Sequence, residues 1–395
     1  MPVIPSEAFR QNLSFIVLAA IGLASIGLQP VLVSSMIEHS GYAPGATGYI
    51  ASAEVFGIAL TNLTLTFAGA RLSWRMLSAA GLVLILIGGA LSLSATPVVS
   101  LMIVARFISG LGSGLLISRS YAAAGLTSNA DKMLGYILAG STAHTAAASL
   151  LLPIAAEQWG TAAIFIYFML ITLAGFPVLK GMPERADDSV TEARSGSLAA
   201  ERFTALGAAG LLFLGLGVLW PYLFQIGLAM GATSEQAAIG LTLSQVAAFG
   251  GALVAGLAGR IMPAFTMSVL TVVLTAISVL LMDRMTGHIS YGVLASGFNG
   301  ASNASMVLLL GAVALVDTDG RWIAAAVAAQ TLGFAFGPAI AGVIVADGHY
   351  GRAELLSVVL LVLSLVVATV SAVLTRSRER RDGLHGRQYQ EDCIG

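Results

Sequence analysis

The chain has 395 residues, of which 57% are hydrophobic and only 10% charged, with a mean hydropathy of +0.89. Soluble globular domains carry about 25% charged residues, so this composition excludes a water-facing surface over most of the chain and makes lipid its solvent. The net charge of −1 offers no basic surface for nucleic acid, and the one cysteine, Cys393, forms no internal disulfide and fits no prenylation box.

A membrane span needs about 20 mostly apolar residues, at about 1.5 Å of helical rise each, to cross a core about 30 Å thick. The first such run, 13–36, is too long for the apolar region of a cleavable signal and reads as a span. Spans 2 to 6 follow at 47–68, 77–95, 98–125, 134–155 and 162–179. The one long polar stretch between spans, 180–202, is rich in Glu, Asp, Arg and Ser and reads as a flexible cytoplasmic linker. Spans 7 to 12 are expected at 203–228, 237–257, 262–282, 289–316, 322–346 and 355–374, ahead of a basic cytoplasmic tail at 375–395. The expected fold is an all-α membrane protein of twelve transmembrane helices in two six-helix bundles, 1–179 and 203–374.

Basic residues near span ends favour the cytoplasmic side. With the N-terminus inside, cytoplasmic segments hold Arg10, Arg71, Arg75, Lys132, Lys180, Arg185, Arg194, Arg202, Arg260, Arg321 and the tail arginines, against Arg284 and Arg352 outside. This predicts a multi-pass protein of the plasma (inner) membrane with both termini cytoplasmic. The tail arginines read first as an orientation signal and second as a lipid contact.

The halves resemble each other at a shift of about 190 residues. Gly27 to Leu32, around Pro30, answers Val218 to Leu223, around Pro221. Glu54 answers Gln245, Ala68 to Arg71 answer Ala258 to Arg260, Arg106-Phe107 answer Gly297-Phe298, and Pro153 answers Pro338. Two parallel six-span repeats imply a pseudo-two-fold axis along the membrane normal, about which the halves can rock around a midplane site.

Arg106 followed by Gly110, Gly112 and Gly114 in span 4, and Gly333, Gly337-Pro338 and Gly342 in span 11, resemble motifs of the major facilitator superfamily across spans 1–12. In its drug-antiporter branch the glycine–proline motif lies in span 5, where this chain has only Pro153. The loop after span 2 keeps Gly69, Arg71 and Arg75 of a third motif without its aspartate. The resemblance implies alternating access, with spans 1, 4, 7 and 10 lining a central cavity.

Charges at membrane depth are costly and are functional candidates by default. Glu54 and Arg106 both sit roughly 10–12 Å deep at about 1.5 Å per residue, so the two can meet. They read either as a proton-sensitive switch or as a fixed pair stapling spans 2 and 4. His144, near the middle of span 5, reads as a proton relay or as a neutral side chain bonded to a neighbour. Arg119 offers a fork for a carboxylate or phosphate if it faces the cavity, and otherwise gates or snorkels. Gln29, Trp220, Tyr222, Gln225, Asn299 and Asn303 lie in spans 1, 7 and 10, as a pocket for a small, partly apolar solute or as interhelical glue. The second half carries no ionisable residue deep in any span, so coupling is expected in the first.

The glycines at 110–114 follow no strand, so they form no nucleotide loop. The Asn12, Asn62 and Asn303 glycosylation patterns fall at the inner membrane edge or within spans. No cluster indicates a metal or cofactor, and no nucleophile–base set indicates an enzyme. The leading expectation is a proton-coupled secondary transporter of a small organic anion such as a carboxylate, functional as a monomer in membrane lipid. The rivals are a proton-driven exporter of drugs or metabolites and a non-transporting membrane sensor.

Overall fold

The computed structural model describes residues 7–68, 72–95, 98–184, 200–258, 262–316 and 321–392. The described residues are helical apart from short connections. The first half comprises α1 (Glu7–Gly27), α2 (Gln29–Ser40), α3 (Pro44–Ala68), α4 (Trp74–Ser94), α5 (Val99–Gly125), α6 (Ala130–Trp159) and α7 (Ala162–Gly175). The second comprises α8 (Ala200–Leu219), α9 (Leu223–Ala229), α10 (Ser234–Ala258), α11 (Ala264–Met282), α12 (His288–Val316), α13 (Arg321–Ile344) and α14 (Gly351–Asp392).

Among the described residues, 10 helices are long and apolar enough to cross a membrane. The helices α3 and α12, of 25 and 29 residues, stand where spans 2 and 10 are expected. Large apolar side chains such as Ile87, Val104, Leu151, Leu170, Leu253, Val293 and Val366 are exposed on the outside of the helices. A surface so apolar is stable only against lipid. The chain is an integral multi-pass membrane protein.

Two expected spans are broken where proline predicts it. Span 1 is α1 and α2, interrupted at Leu28 just before Pro30, and span 7 is α8 and α9, joined by a 3₁₀ turn over Trp220–Tyr222. Proline has no N–H for the carbonyl one turn back and its ring clashes there, so the helix interrupts. The two breaks fall at the matched repeat positions. Packing repeats as well: α5 lies against α3 and α4 as α12 lies against α10 and α11. Likewise α6 packs on α1 as α13 does on α8, and α4 on α7 as α11 does on α14.

Glycine sets the closeness of the α3–α5 and α10–α12 pairs. A Cβ on Gly110 would strike the Glu54 carbonyl, and one on Gly251 the Gly300 carbonyl. Small residues let backbones approach where lipid supplies no hydrophobic drive between helices. Gly110→Ala is therefore expected to push α3 from α5 and destabilise the protein by about 1–3 kcal/mol, measured as a lower melting temperature in detergent.

The core shows how the halves meet. At the end where α2 finishes and α3 begins, one buried cluster runs through both halves, from Leu28, Met36 and Phe165 to Tyr222, Tyr291 and Val345. At the opposite end the cores are separate. Leu18, Trp74, Leu116 and Ile137 belong to one cluster in the first half, and Ala255, Ala304 and Leu308 to another in the second. Among the described residues the halves thus share a core at one end, the sealed end, and hold separate cores at the other, the parted end. Helices α3 and α13 cross at the seal with almost no side chain between them, since a Cβ on Gly48 would meet the Pro338 carbonyl and one on Gly342 the Gly45 carbonyl.

Most of the linker (185–199), part of the loop after α3 (69–71), Arg260 and Cys393 lie outside the described residues. The start of the linker folds back on α4, where Arg75 pairs with Glu184 at 3.1 Å. Helix α14 continues past the apolar stretch, well into the expected tail, as far as Asp392.

Candidate functional site

Glu54 and Arg106 are brought together. The Arg106 Nη2 donates to Glu54 Oε1, and both side chains are buried, at 2% and 1% exposure. The Arg106 guanidinium also lies 5.8 Å and 5.5 Å from the ring centres of Phe165 and Phe168, within reach of a cation–π attraction. Beside the pair is a void of about 10 Å³ walled by Ser25, Ser109, Ser113 and Thr172, about the volume of one water. Glu54 Oε2 and Arg106 Nε face this region with no hydrogen-bond partner. A carboxylate and a guanidinium taken out of water hold each other by charge, and losing either charge strands the other.

His144 is not part of this cluster. Its Nε2 meets the Tyr167 hydroxyl, with the rings stacked 5.9 Å apart, while its Nδ1 has no partner. Tyr167 adjoins Phe168 at 6.0 Å between ring centres, so an apolar ring separates the histidine from Arg106.

Arg119 is also turned into the first half. It lies over the Trp74 ring at 5.3 Å and donates to Ser118 Oγ at 3.0 Å. It is buried at 7% exposure near the parted end, and the structure does not bring it to Arg106 or to the residues between the halves.

Three of the expected polar residues stand at the break in span 7 and reach across to the first half. Pro30 has no N–H for the Ile26 carbonyl, and the Trp220 indole N–H donates to that carbonyl at 2.9 Å instead. The Tyr222 hydroxyl donates to the Pro44 carbonyl at 2.9 Å. Gln225 Nε2 donates to Ser34 Oγ at 3.1 Å and to Glu38 Oε1 at 3.0 Å. Each proline break thus becomes a contact between the halves. Trp220→Phe is expected to leave the Ile26 carbonyl unpaired and weaken the seal by about 1–3 kcal/mol, read as faster thiol labelling of a cysteine placed at Ser34.

The remaining amides lie nearby but bond within their own half. Gln29, 1% exposed, donates to the Ala51 carbonyl at 3.2 Å. Asn299 Nδ2 donates to Ser244 Oγ at 3.2 Å, and Asn303 Nδ2 to the Asn299 carbonyl at 2.9 Å. Sequence reasoning used Gln245 only as the counterpart of Glu54, whereas its Nε2 crosses to the Gly27 carbonyl at 2.9 Å. Thr242, Glu38 and Tyr350 were missed as seal residues. Thr242 bonds the Ala146 carbonyl at 3.2 Å, and the Tyr350 hydroxyl lies 3.4 Å from Gln225 Oε1. Pro30 and Pro221 entered the sequence reading only as matching repeat positions, which did not mark this layer.

No protein-family model and no curated protein matches the chain in sequence. Solved structures match it along its length. A D-xylose–proton symporter superposes with a TM-score of 0.72 at 15% identity, over 92% of this chain and 97% of the symporter. A nucleoside transporter does so with a TM-score of 0.73 at 12% identity, over 92% of this chain and 99% of that one. The chain has the fold of these two transporters. Within that fold, the seal between the halves carries amides, aromatic polar groups and the Glu38 carboxylate, and the Glu54–Arg106 pair lies buried inside the first half.

Proposed function

We propose that the protein is a secondary transporter that moves a small polar organic solute by alternating access. Twelve spans in two six-span bundles, joined by a cytoplasmic linker, carry out the exchange. The observation that carries this reading is the pairing of one shared core at one end with separate cores at the other. At the sealed end the halves are joined by a shared apolar core, by hydrogen bonds and by glycine crossings, and in this reading that end parts and re-forms. By the distribution of basic residues, the parted end faces the cytoplasm in the plasma membrane.

The Glu54–Arg106 pair is the coupling element in this reading. Protonating Glu54 removes the charge that holds Arg106, and α3, which carries Glu54, also crosses α13 at the seal. Proton coupling draws further support from the fold's likeness to a proton symporter.

The anion class expected from the sequence rested on Arg106 and Arg119. Their guanidiniums are turned to Glu54 and Trp74, and the groups between the halves are amides, an indole, a phenol and the Glu38 carboxylate, which repels an anion. These donors and acceptors suit an uncharged, hydroxylated or amide-bearing solute better. Counterflow in proteoliposomes tests the proposal, with a monosaccharide, a nucleoside, a monocarboxylate and a cationic dye as probes. Saturable counterflow of an uncharged solute is expected. Counterflow of the carboxylate alone would restore the anion class, efflux of the dye alone would favour an exporter, and binding without counterflow would favour a sensor.

A further inference from the structure

Among the described residues, Glu38 is the carboxylate that joins a bond between the halves. It stands in the last turn of α2 with its side chain exposed. The two N–H groups of the Gln225 amide both serve the first half, donating to Ser34 Oγ at 3.1 Å and to Glu38 Oε1 at 3.0 Å. The amide is held that way round from its own half, where the Tyr350 hydroxyl lies 3.4 Å from Gln225 Oε1. Burial and the nearby Glu38 charge push the Tyr350 phenol up to about 12, so it stays a donor.

No basic side chain offsets that charge. Among the described residues the ion pairs join Arg75 to Glu184, Arg106 to Glu54, and Asp347 to His349 and Arg352, and none reaches Glu38. The chain ends at the same side of the molecule add the exposed carboxylates of Glu157, Glu235, Asp283 and Asp347. Against them stand Arg284 and Arg352, and Arg352 is taken up by Asp347 at 3.1 Å. An anion approaching from this end therefore meets a surplus of carboxylates.

Opening strengthens the effect. Ser34 and Glu38 belong to the first half and Gln225 to the second, so parting the halves takes the amide from the carboxylate and leaves its charge on the wall of the mouth. Ser34 and Glu38 bond the same nitrogen and lie one turn apart on one face of α2, so the carboxylate stands within about 6 Å of the Ser34 position. At that range in water, one charge changes the local concentration of a singly charged molecule about threefold, raising it for a cation and lowering it for an anion.

We propose that Glu38 is a charge filter at the sealed end, which admits uncharged and cationic solutes to the space between the halves and turns anions away. This deepens the transport reading and rests on it, because the filter acts only when that end opens.

The test replaces the solute by thiol reagents. Ser34→Cys, in a Cys393→Ser and Gly48→Val background, is reacted with neutral methyl methanethiosulfonate and with its cationic trimethylammonioethyl and anionic sulfonatoethyl relatives. Each rate is divided by that of the same reagent with 2-mercaptoethanol, and the cation-to-anion ratio then cancels any effect of Glu38 on the thiol itself. With Glu38 present the ratio is expected to be about ten or more. Glu38→Gln should lower it about tenfold, and Glu38→Lys should reverse the preference. Glu38 is exposed, so Glu38→Gln decides the matter if Glu38→Lys fails to fold. An unchanged ratio in Glu38→Gln, with the neutral reagent reacting, would overturn the filter and leave the transport reading standing. No reaction with the neutral reagent would show that this end does not open, and would bring down both.

Discussion

Glu54→Gln is expected to abolish solute accumulation driven by a pH gradient while leaving exchange of solute for solute intact. The carboxylate is buried at 1% exposure against Arg106, so the amide keeps the shape and an acceptor oxygen but can neither gain nor lose a proton. The cost in stability has a definite sign. Removing one partner from a buried ion pair costs about 3–5 kcal/mol, because the other charge is left uncompensated, whereas replacing both is far cheaper. Glu54→Gln should therefore lower the melting temperature, and Glu54→Gln with Arg106→Gln should recover part of the loss without restoring accumulation. Gradient-driven uptake that survives Glu54→Gln would make the pair a staple between α3 and α5.

Gly48→Val is expected to open the sealed end. Gly48 lies where α3 crosses α13, and a side chain there meets the Pro338 carbonyl, the Tyr222 hydroxyl and Gly342. Backbone on both sides of the crossing cannot yield as a flexible side chain would, so the helices must separate. Overpacking of this kind costs about 1–3 kcal/mol, enough to shift a balanced two-state equilibrium by about fivefold to a hundredfold. Thiol labelling of a cysteine at Ser34, buried at 5%, should accelerate by about that factor, and Gly48→Ala should give a smaller rise. Unchanged labelling in both variants would show that this crossing does not hold the seal.

Much of the helical layout was legible because length and hydropathy decide it. Apart from α14, which runs on to Asp392, the helices begin and end within a few residues of the apolar runs, and Pro30 with Pro221, read as matching repeat positions, lie where two of them break. The meeting of Glu54 with Arg106 followed from equal depth on adjacent spans, a purely geometric argument. Bonds between the halves were not legible. Gln225 reaches Ser34 and Glu38 through a relative placement of two bundles that no local pattern encodes. The direction in which a side chain leaves its helix was equally hidden, which is why Arg119 and His144 lie with Trp74 and Tyr167. Glu354 escaped notice because the apolar run begins one residue later, whereas α14 starts at Gly351 and buries Ala353 and Glu354.

Rigid-body rocking of the two halves is tested most directly by paired spin-label distances in lipid, in a Cys393→Ser background. One pair, at Trp159 and Ile289, reports the sealed end, and the other, at Leu126 and Leu257, reports the parted end; all four side chains are exposed. Going from the parent to Gly48→Val, the first distance should lengthen and the second should shorten together. Lengthening at the sealed end with no change at the other would mean local splaying of α3 from α13, and would contradict an exchange between two arrangements of the same halves.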